Sequence, residues 1–221
     1  MERLGALSAK YESNDNPAAV SQSNGDGGGW SYGIYQFASA AGVVQNFIYW
    51  LCQHDVPYDE YGRQLASAGD PCSDQSFVDK WEDIGNTDAD GFVMLQDEYV
   101  KPQYYDAGAE KLIEWYNFDI SQHSNALQQV LFSNCIQHGN YYGAQVFGDA
   151  AKFVEKDLNS MNEADIINFI YEVKLTDMSW SSGSPQLRSG LFARWKNERE
   201  DALDLLKKQT ESDIFVGSGC K

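Results

Sequence analysis

No stretch of the chain reaches the roughly 18 consecutive apolar residues of a membrane-spanning helix, so no membrane insertion is expected. Positive charge is scarce: 16 Lys and Arg stand against 33 Asp and Glu, a formal net charge of −17. A surface this acidic repels phosphate backbones, which removes sequence-independent nucleic-acid binding. Histidine is rarer still. His54, His123 and His138 lie far apart with no H-E-x-x-H spacing, which argues against a zinc hydrolase, and neither metal nor cofactor is expected. Ser21, Ser23 and Ser31 lack a G-x-S-x-G elbow, and no cysteine sits in a protease signature, so acyl chemistry has no support. The four cysteines show no C-x-x-C pair. Cys135 sits in an apolar helical run as a buried thiol, and a Cys52–Cys72 bridge is disfavoured in a chain that is not a disulfide scaffold. Met1 to Gly5 has no apolar signal core and reads as the start of a helix.

Aromatic side chains, by contrast, are plentiful: 6 Trp, 13 Tyr and 11 Phe make 14% of the 221 residues. Tyr and Trp pair a flat apolar face with a polar tip, which suits sugar rings as well as cores. Most of the chain has helical period. Leu4, Leu7, Ala9 and Tyr11 predict a first helix ending near Glu12-Ser13-Asn14. From Ala18 to Phe37 the residues turn to Ser, Asn and Gly with interspersed Val20, Trp30, Tyr32 and Ile34, which predicts a small β-hairpin lobe. Apolar stripes then follow at Val43–Leu51, Phe77–Ile84, Phe92–Tyr99 and Ala109–Tyr116. The run Leu127, Val130, Leu131, Cys135 predicts the central buried helix, followed by helices at Val146–Val154, Ile166–Tyr171 and Leu187–Leu206. Pro57, Pro71, Pro102 and Pro185 are read as breaks. The expected fold is mainly α, a helical bundle around one buried helix with a small N-terminal β lobe. Residues 1–216 form the expected domain, and 217–221 a flexible tail or linker stub.

Two carboxylates, Glu12 and Asp26, flank the change from helix to glycine-rich lobe. A carboxyl at a helix C-terminus, among apolar neighbours, feels the negative dipole end and loses hydration. Both effects favour its neutral, proton-donating form. Asp26 lies in a glycine run whose amides can turn toward it and hold it ionised. An acid and a base kept apart in this way are the working parts of glycoside hydrolysis.

The residues Ser8-Ala9-Lys10-Tyr11-Glu12-Ser13, followed by Gly25-Asp26-Gly27-Gly28-Gly29-Trp30-Ser31-Tyr32-Gly33-Ile34-Tyr35-Gln36-Phe37, resemble the lysozyme superfamily. The helix-terminal E-S is similar to that of lytic transglycosylases and goose-type lysozymes. Gly25 to Ile34 resembles the G-D-G-R-G-Y-T-x-G-I of family 46 chitosanases. K-Y-E-S before G-D-x-G-G-x-S-Y-G-x-Y-Q resembles the peptidoglycan-cleaving C-terminal domains of some type VI secretion spike proteins and related phage cell-wall hydrolases. The likeness covers about the first 50 residues, with Gln137-His138-Gly139 and Arg194 to Arg199 as fainter echoes. It implies a lysozyme-like α+β fold in which Glu12 is the general acid, Asp26 the base toward water, and Ser31 the hydroxyl that helps hold that water. It further implies Trp30, Tyr32, Tyr35, Gln36 and His138 as substrate-binding residues, peptidoglycan glycan strands as the partner, and action as a monomer on the cell wall. Delivery by phage lysis or an injection device, or membership of a longer chain, is the accompanying expectation. Gly28 departs from the chitosanase pattern, which has Arg there, and this favours the wall-hydrolase branch. A chitosanase, a lytic transglycosylase and a non-catalytic glycan-binding module are the alternatives.

Asn86 to Asp97 mimics an EF-hand loop, although Asp88 or Asp90 capping a helix near Gly91 explains the same residues. Arg194, Glu198 and Arg199 are expected in surface or interhelix pairs.

Overall fold

The computed structural model describes residues 3–22, 29–183 and 185–217, with side chains described as far as residue 212. The chain divides into two compact units. One is continuous, Ala9–Lys101, and the other joins Met1–Ser8 to Pro102–Lys221. Helix α1 (Ala6–Ser13) passes from one to the other.

The continuous unit carries the small sheet. Strands β1 (Val20–Gln22), β2 (Trp30–Tyr32) and β3 (Phe37–Ala38) pair antiparallel in that order. Val20 faces Tyr32 and Gln22 faces Trp30, while Tyr32 also faces Phe37. The period-2 alternation sends Tyr32 and Phe37 into the core and leaves Ser31 half-buried on the other face. Under the sheet lie α2 (Val43–Leu51), α3 (Asp59–Ser67), α4 (Gln75–Thr87) and α5 (Ala89–Val100). Their inner faces supply Phe47, Phe77, Trp81 and Phe92, all fully buried. The rings meet at tilted and edge-on angles, Trp81 against Phe92 at 4.9 Å and Phe37 against Phe47 at 5.1 Å.

The capping reading of Asp88 holds in this unit, and one expected break fails where the next unit begins. The EF-hand look-alike is not a loop, because Asp88 alone separates α4 from α5. Its Oδ1 accepts the Gly91 N–H at 3.1 Å, a helix cap, and its Oδ2 accepts the Tyr61 hydroxyl at 2.9 Å. Pro102 is likewise not a break. The residues Lys101–Asp106 form a π-helical turn, whose wider spacing tolerates a missing N–H. Helix α6 (Ala107–Tyr116) follows directly.

The second unit is built on α7 (Asn125–Phe153), flanked by α6, α8 (Glu163–Thr176) and α9 (Arg188–Gly217). The expected central helix is confirmed in its first half, where Leu127, Val130, Leu131 and Cys135 are fully buried. It is longer than the periodicity suggested. Gly139, at φ 79° and ψ 161°, kinks it, and the second half absorbs the helix expected near Val146. Gln129 ties the N-terminus in: its Oε1 accepts from the Gly5 and Leu7 amides and its Nε2 donates to the Arg3 carbonyl. Glu198 is no surface residue. It is fully buried and accepts from the Ser133 hydroxyl, with Arg194 Nε at 3.9 Å. Arg199 does pair across to Glu172 on α8, at 3.6 Å. Lys174 is buried too, donating to Asn134 Oδ1 at 2.8 Å and Gln137 Oε1 at 2.9 Å, with its ammonium 4.7 Å over the Trp195 ring.

Cys52, Cys72 and Cys135 are free thiols, and burial pushes Cys135 up to about 12, which leaves it inert. Cys220 lies outside the described residues. Among the described residues no helix is long and apolar enough to cross a membrane. The fold is mainly helical with a small N-terminal antiparallel sheet.

Candidate active site

Glu12 occupies the last turn of α1, half-buried, one residue before the helix stops. The stop is local chemistry. Asn14 and Asp15 adopt φ of 56° and 59°, a conformation these short polar residues tolerate, and the Asp15 N–H closes back on the Ala9 carbonyl at 3.0 Å. The neighbouring Ser13 hydroxyl reaches the Ile34 carbonyl at 3.3 Å, which joins the end of α1 to the turn between β2 and β3.

A second tie is stronger and was not anticipated from sequence. Gln96 on α5 is completely buried. Its Oε1 accepts the Ile34 N–H at 2.8 Å, and its Nε2 donates to the Pro17 carbonyl at 3.2 Å. Trp81 Nε1 donates to the same carbonyl at 3.0 Å. One amide side chain thus fixes both the segment that leaves Glu12 and the turn that follows Ser31. Gly33 makes this possible. At φ 74° it leaves room for Gln96, whose Oε1 would lie 2.0 Å from any Cβ there. A lone Gln in a helical stripe gives no sequence signal. Only its distant partners reveal it.

The predicted site residues fall into three groups. Asp26, with Gly25, Gly27 and Gly28, lies outside the described residues. Ser31 and Trp30 are half-buried on β2, and the Trp30 N–H donates to Ser39 Oγ at 2.8 Å. Both remain candidates for contact with a ligand. Of the other residues predicted in the lobe, Tyr32 and Tyr35 are buried and Gln36 is half-buried. Tyr32 is fully buried among Phe77 and Trp81, with its hydroxyl on the Pro71 carbonyl at 2.8 Å, so its ring has no face for a sugar. Tyr35 is buried against Phe37, and its hydroxyl donates to Asp97 Oδ1 at 2.5 Å. Gln36 closes the turn: its Nε2 donates to the Gly33 carbonyl at 3.0 Å, and its Oε1 accepts from the Ser21 hydroxyl at 2.5 Å. These three build the lobe that carries Ser31 and Trp30.

His138 belongs to the other unit, immediately before the α7 kink. Burial, then the charges of Lys174 and Arg194, pull its imidazole down to about 2, so it is neutral at any physiological pH. Its Nε2 is buried without a hydrogen-bond partner among the described residues. It lines a cavity of about 570 Å³ formed entirely within that unit.

No group of three or more His, Cys, Asp and Glu side chains among the described residues is arranged to hold a metal ion.

Comparison with known proteins places this arrangement. The family described as "Type VI secretion system spike protein VgrG3-like, C-terminal" matches residues 4–199. The type VI secretion system spike protein VgrG3 of Vibrio cholerae is 30% identical over 219 residues, 96% of this chain. The chain spans only 20% of that protein's length. Among solved structures, the GH46 chitosanase of Gynuella sunshinyii in complex with chitotetraose is similar with a TM-score of 0.59 and 16% identity, over 95% of this chain and 91% of that one. The native chitosanase of Bacillus subtilis MY002 is similar with a TM-score of 0.58, again at 16% identity, over 95% and 88%. At this identity the likeness establishes the fold. The chain belongs to the VgrG3-like C-terminal family of type VI secretion spike proteins and has a chitosanase-like fold.

Proposed function

We propose that this spike-protein domain hydrolyses β-1,4 glycosidic bonds of peptidoglycan by general acid and base catalysis. Glu12 protonates the leaving glycosidic oxygen. Asp26 takes a proton from the attacking water, and Ser31 helps to hold that water, with Trp30 bordering the sugar. The observation that carries the reading is the placement of Glu12: a half-buried carboxyl at a firmly stopped helix end, tied through Ser13 to the turn after Ser31. That is what a general acid needs if its distance to substrate is to be fixed. Residues 1–216 act as one functional domain, because the unit containing Met1–Ser8 and Pro102–Lys221 is interrupted by the other and α1 passes through both. The domain works as a single copy, carried to the wall as part of an injected spike.

Glu12→Gln tests the proposal. The amide is nearly isosteric but holds no transferable proton, so wall-clearing activity should fall by about 10²–10⁴-fold or more, with the melting temperature nearly unchanged. Activity within a few-fold of the parent would remove Glu12 as the acid.

A chitosanase is the second reading, favoured by one specific observation. A net charge of −17 attracts a polycationic glucosamine polymer and repels an anionic wall. Parallel assays on purified peptidoglycan and chitosan separate the two.

A further inference from the structure

Helix α1 carries Glu12, yet little in its own sequence holds it in place. It has eight residues, well below the roughly 12–15 at which an isolated helix begins to be stable in water. Its first turn has no acidic side chain, and Arg3-Leu4-Gly5 before it offers no Ser, Thr, Asp or Asn as a cap. Leu7, Ser8 and Ala9 are buried, but only Leu7 brings a large apolar side chain, so apolar packing contributes little to its placement. The fixing falls to polar ties at the two ends. At the C-terminal end the Ser13 hydroxyl reaches the Ile34 carbonyl. At the N-terminal end the tie is Gln129.

Gln129 stands on the buried first half of α7, 124 residues from Gly5 and in the same unit. Its Oε1 accepts the Gly5 N–H at 2.9 Å and the Leu7 N–H at 3.3 Å, two of the donors that a helix N-terminus leaves open. Its Nε2 donates to the Arg3 carbonyl at 2.6 Å and to Asn125 Oδ1 at 3.4 Å, so both ends of the amide are fully used. A buried amide destabilises a core unless it is paired in this way, and an apolar side chain of similar volume would fill the same space without that requirement. The glutamine is therefore a device for the end of α1. Its effect reaches Glu12. In an α-helix each N–H bonds to the carbonyl four residues back, so the turn that holds Glu12 starts at Ser8, next to the capped residues. Were the first turn to fray, one turn alone would carry the carboxyl.

We propose that Gln129 is a positioning residue for the acid: by capping α1 from outside, it ties the helix that carries Glu12 to the buried half of α7. Fully buried itself, it acts only through the helix. The proposal rests on the reading of Glu12 as the general acid.

The test measures kcat and KM of the full chain on soluble, uncrosslinked peptidoglycan strands, at a temperature where melting curves show each variant folded. Gln129→Met keeps the bulk and removes the ties, so kcat should fall by about 10-fold to 10²-fold with KM within about twofold of the parent. Gln129→Glu keeps an acceptor for the Gly5 and Leu7 amides and should recover most of the loss. Ile170→Ala, a truncation of a fully buried side chain on α8, loses ordinary packing and should leave kcat near parental. In a Glu12→Gln background, Gln129→Met should add less than about twofold, because a residue that acts through the acid has nothing left to position. Should Gln129→Met not fold, Gln129→Asn takes its place with the same expected split, its side chain being one methylene too short to span Gly5 and Arg3. A kcat within about twofold of the parent, an equal loss in Ile170→Ala, or a further loss of about tenfold in the double variant would each overturn the proposal. Near-parental turnover by Glu12→Gln would strike the acid first and this proposal with it. An inactive Glu12→Gln protein beside an unaffected Gln129→Met one would strike this proposal alone.

Discussion

Gln96 shows how one side chain can hold two distant backbone segments of a lobe together. Its oxygen and its amino group are each spent on the backbone of a different segment, Ile34 and Pro17, and all of it is buried. In Gln96→Ala the Ile34 N–H would be left buried and unpaired, which costs about 1–3 kcal/mol, with a cavity term added. Pro17 would keep its bond from Trp81. The expected result is therefore a stable but weakened protein, lower by on the order of 2 kcal/mol in urea denaturation. Wall-clearing activity should fall more than the loss of folded protein explains, because the lobe carrying Ser31 would no longer be held at a fixed distance from the end of α1. A Gln96→Ala protein of parental stability would show that these bonds hold nothing. The same scale explains why two of the aromatic side chains in the expected sugar-binding set are buried. Tyr32 and Tyr35 sit in a motif beside Ser31, but strand alternation and the tight turn at Gly33 drive both rings inward. Alternation over three residues of strand is too short a pattern to read without the partner strands.

At the scale of elements, strong apolar stripes were legible and weakly marked segments were not. The stripes of α2, α4 and α5 stand out because each buries three or more large apolar residues at helical spacing. Helix α3 left almost no trace: it buries Leu65 and Gly62, and the rest of it is polar. The end of α1, which positions Glu12, was legible because Asn14 and Asp15 favour a left-handed stop. The continuity of α7 was hidden because its two apolar runs are separated by the segment around Gly139, which kinks the helix without ending it. Nothing lies within 4 Å of a Cβ built on Gly139, so glycine is needed there for its backbone angles and not for space. A φ of 79° with ψ of 161° belongs to a region almost confined to glycine. Gly139→Ala should therefore destabilise the protein by about 1–3 kcal/mol, even though the added methyl clashes with nothing. Thermal or urea unfolding measures it. Parental stability would mean that the kink relaxes freely, and His138 would then have no fixed place beside its cavity.

At the scale of the whole molecule, the proposed cleavage of a glycan strand by this acidic domain could follow two routes. Hydrolysis and transglycosylation share the acid and differ in the nucleophile. If water attacks, Asp26 must accept its proton, the two carboxyl groups must leave room for it at about 6.5–9.5 Å, and the anomeric carbon inverts. If the sugar's own hydroxyl attacks, Glu12 suffices and the products carry anhydro ends. Ser31 favours the first course, since a hydroxyl near the reacting carbon has a use when there is a water to hold. Asp26→Asn is therefore expected to be nearly as damaging as Glu12→Gln, about 10²-fold or more, because an amide cannot take up the proton. Products of the parent enzyme, analysed by mass spectrometry, should be reducing sugars 18 Da heavier than their anhydro counterparts, the roughly one water added at each cleaved bond. A near-parental Asp26→Asn enzyme releasing anhydro sugars would assign the transglycosylase mechanism instead and leave Glu12 as the acid. An inactive Asp26→Asn enzyme whose parent releases reducing sugars identifies Asp26 as the base.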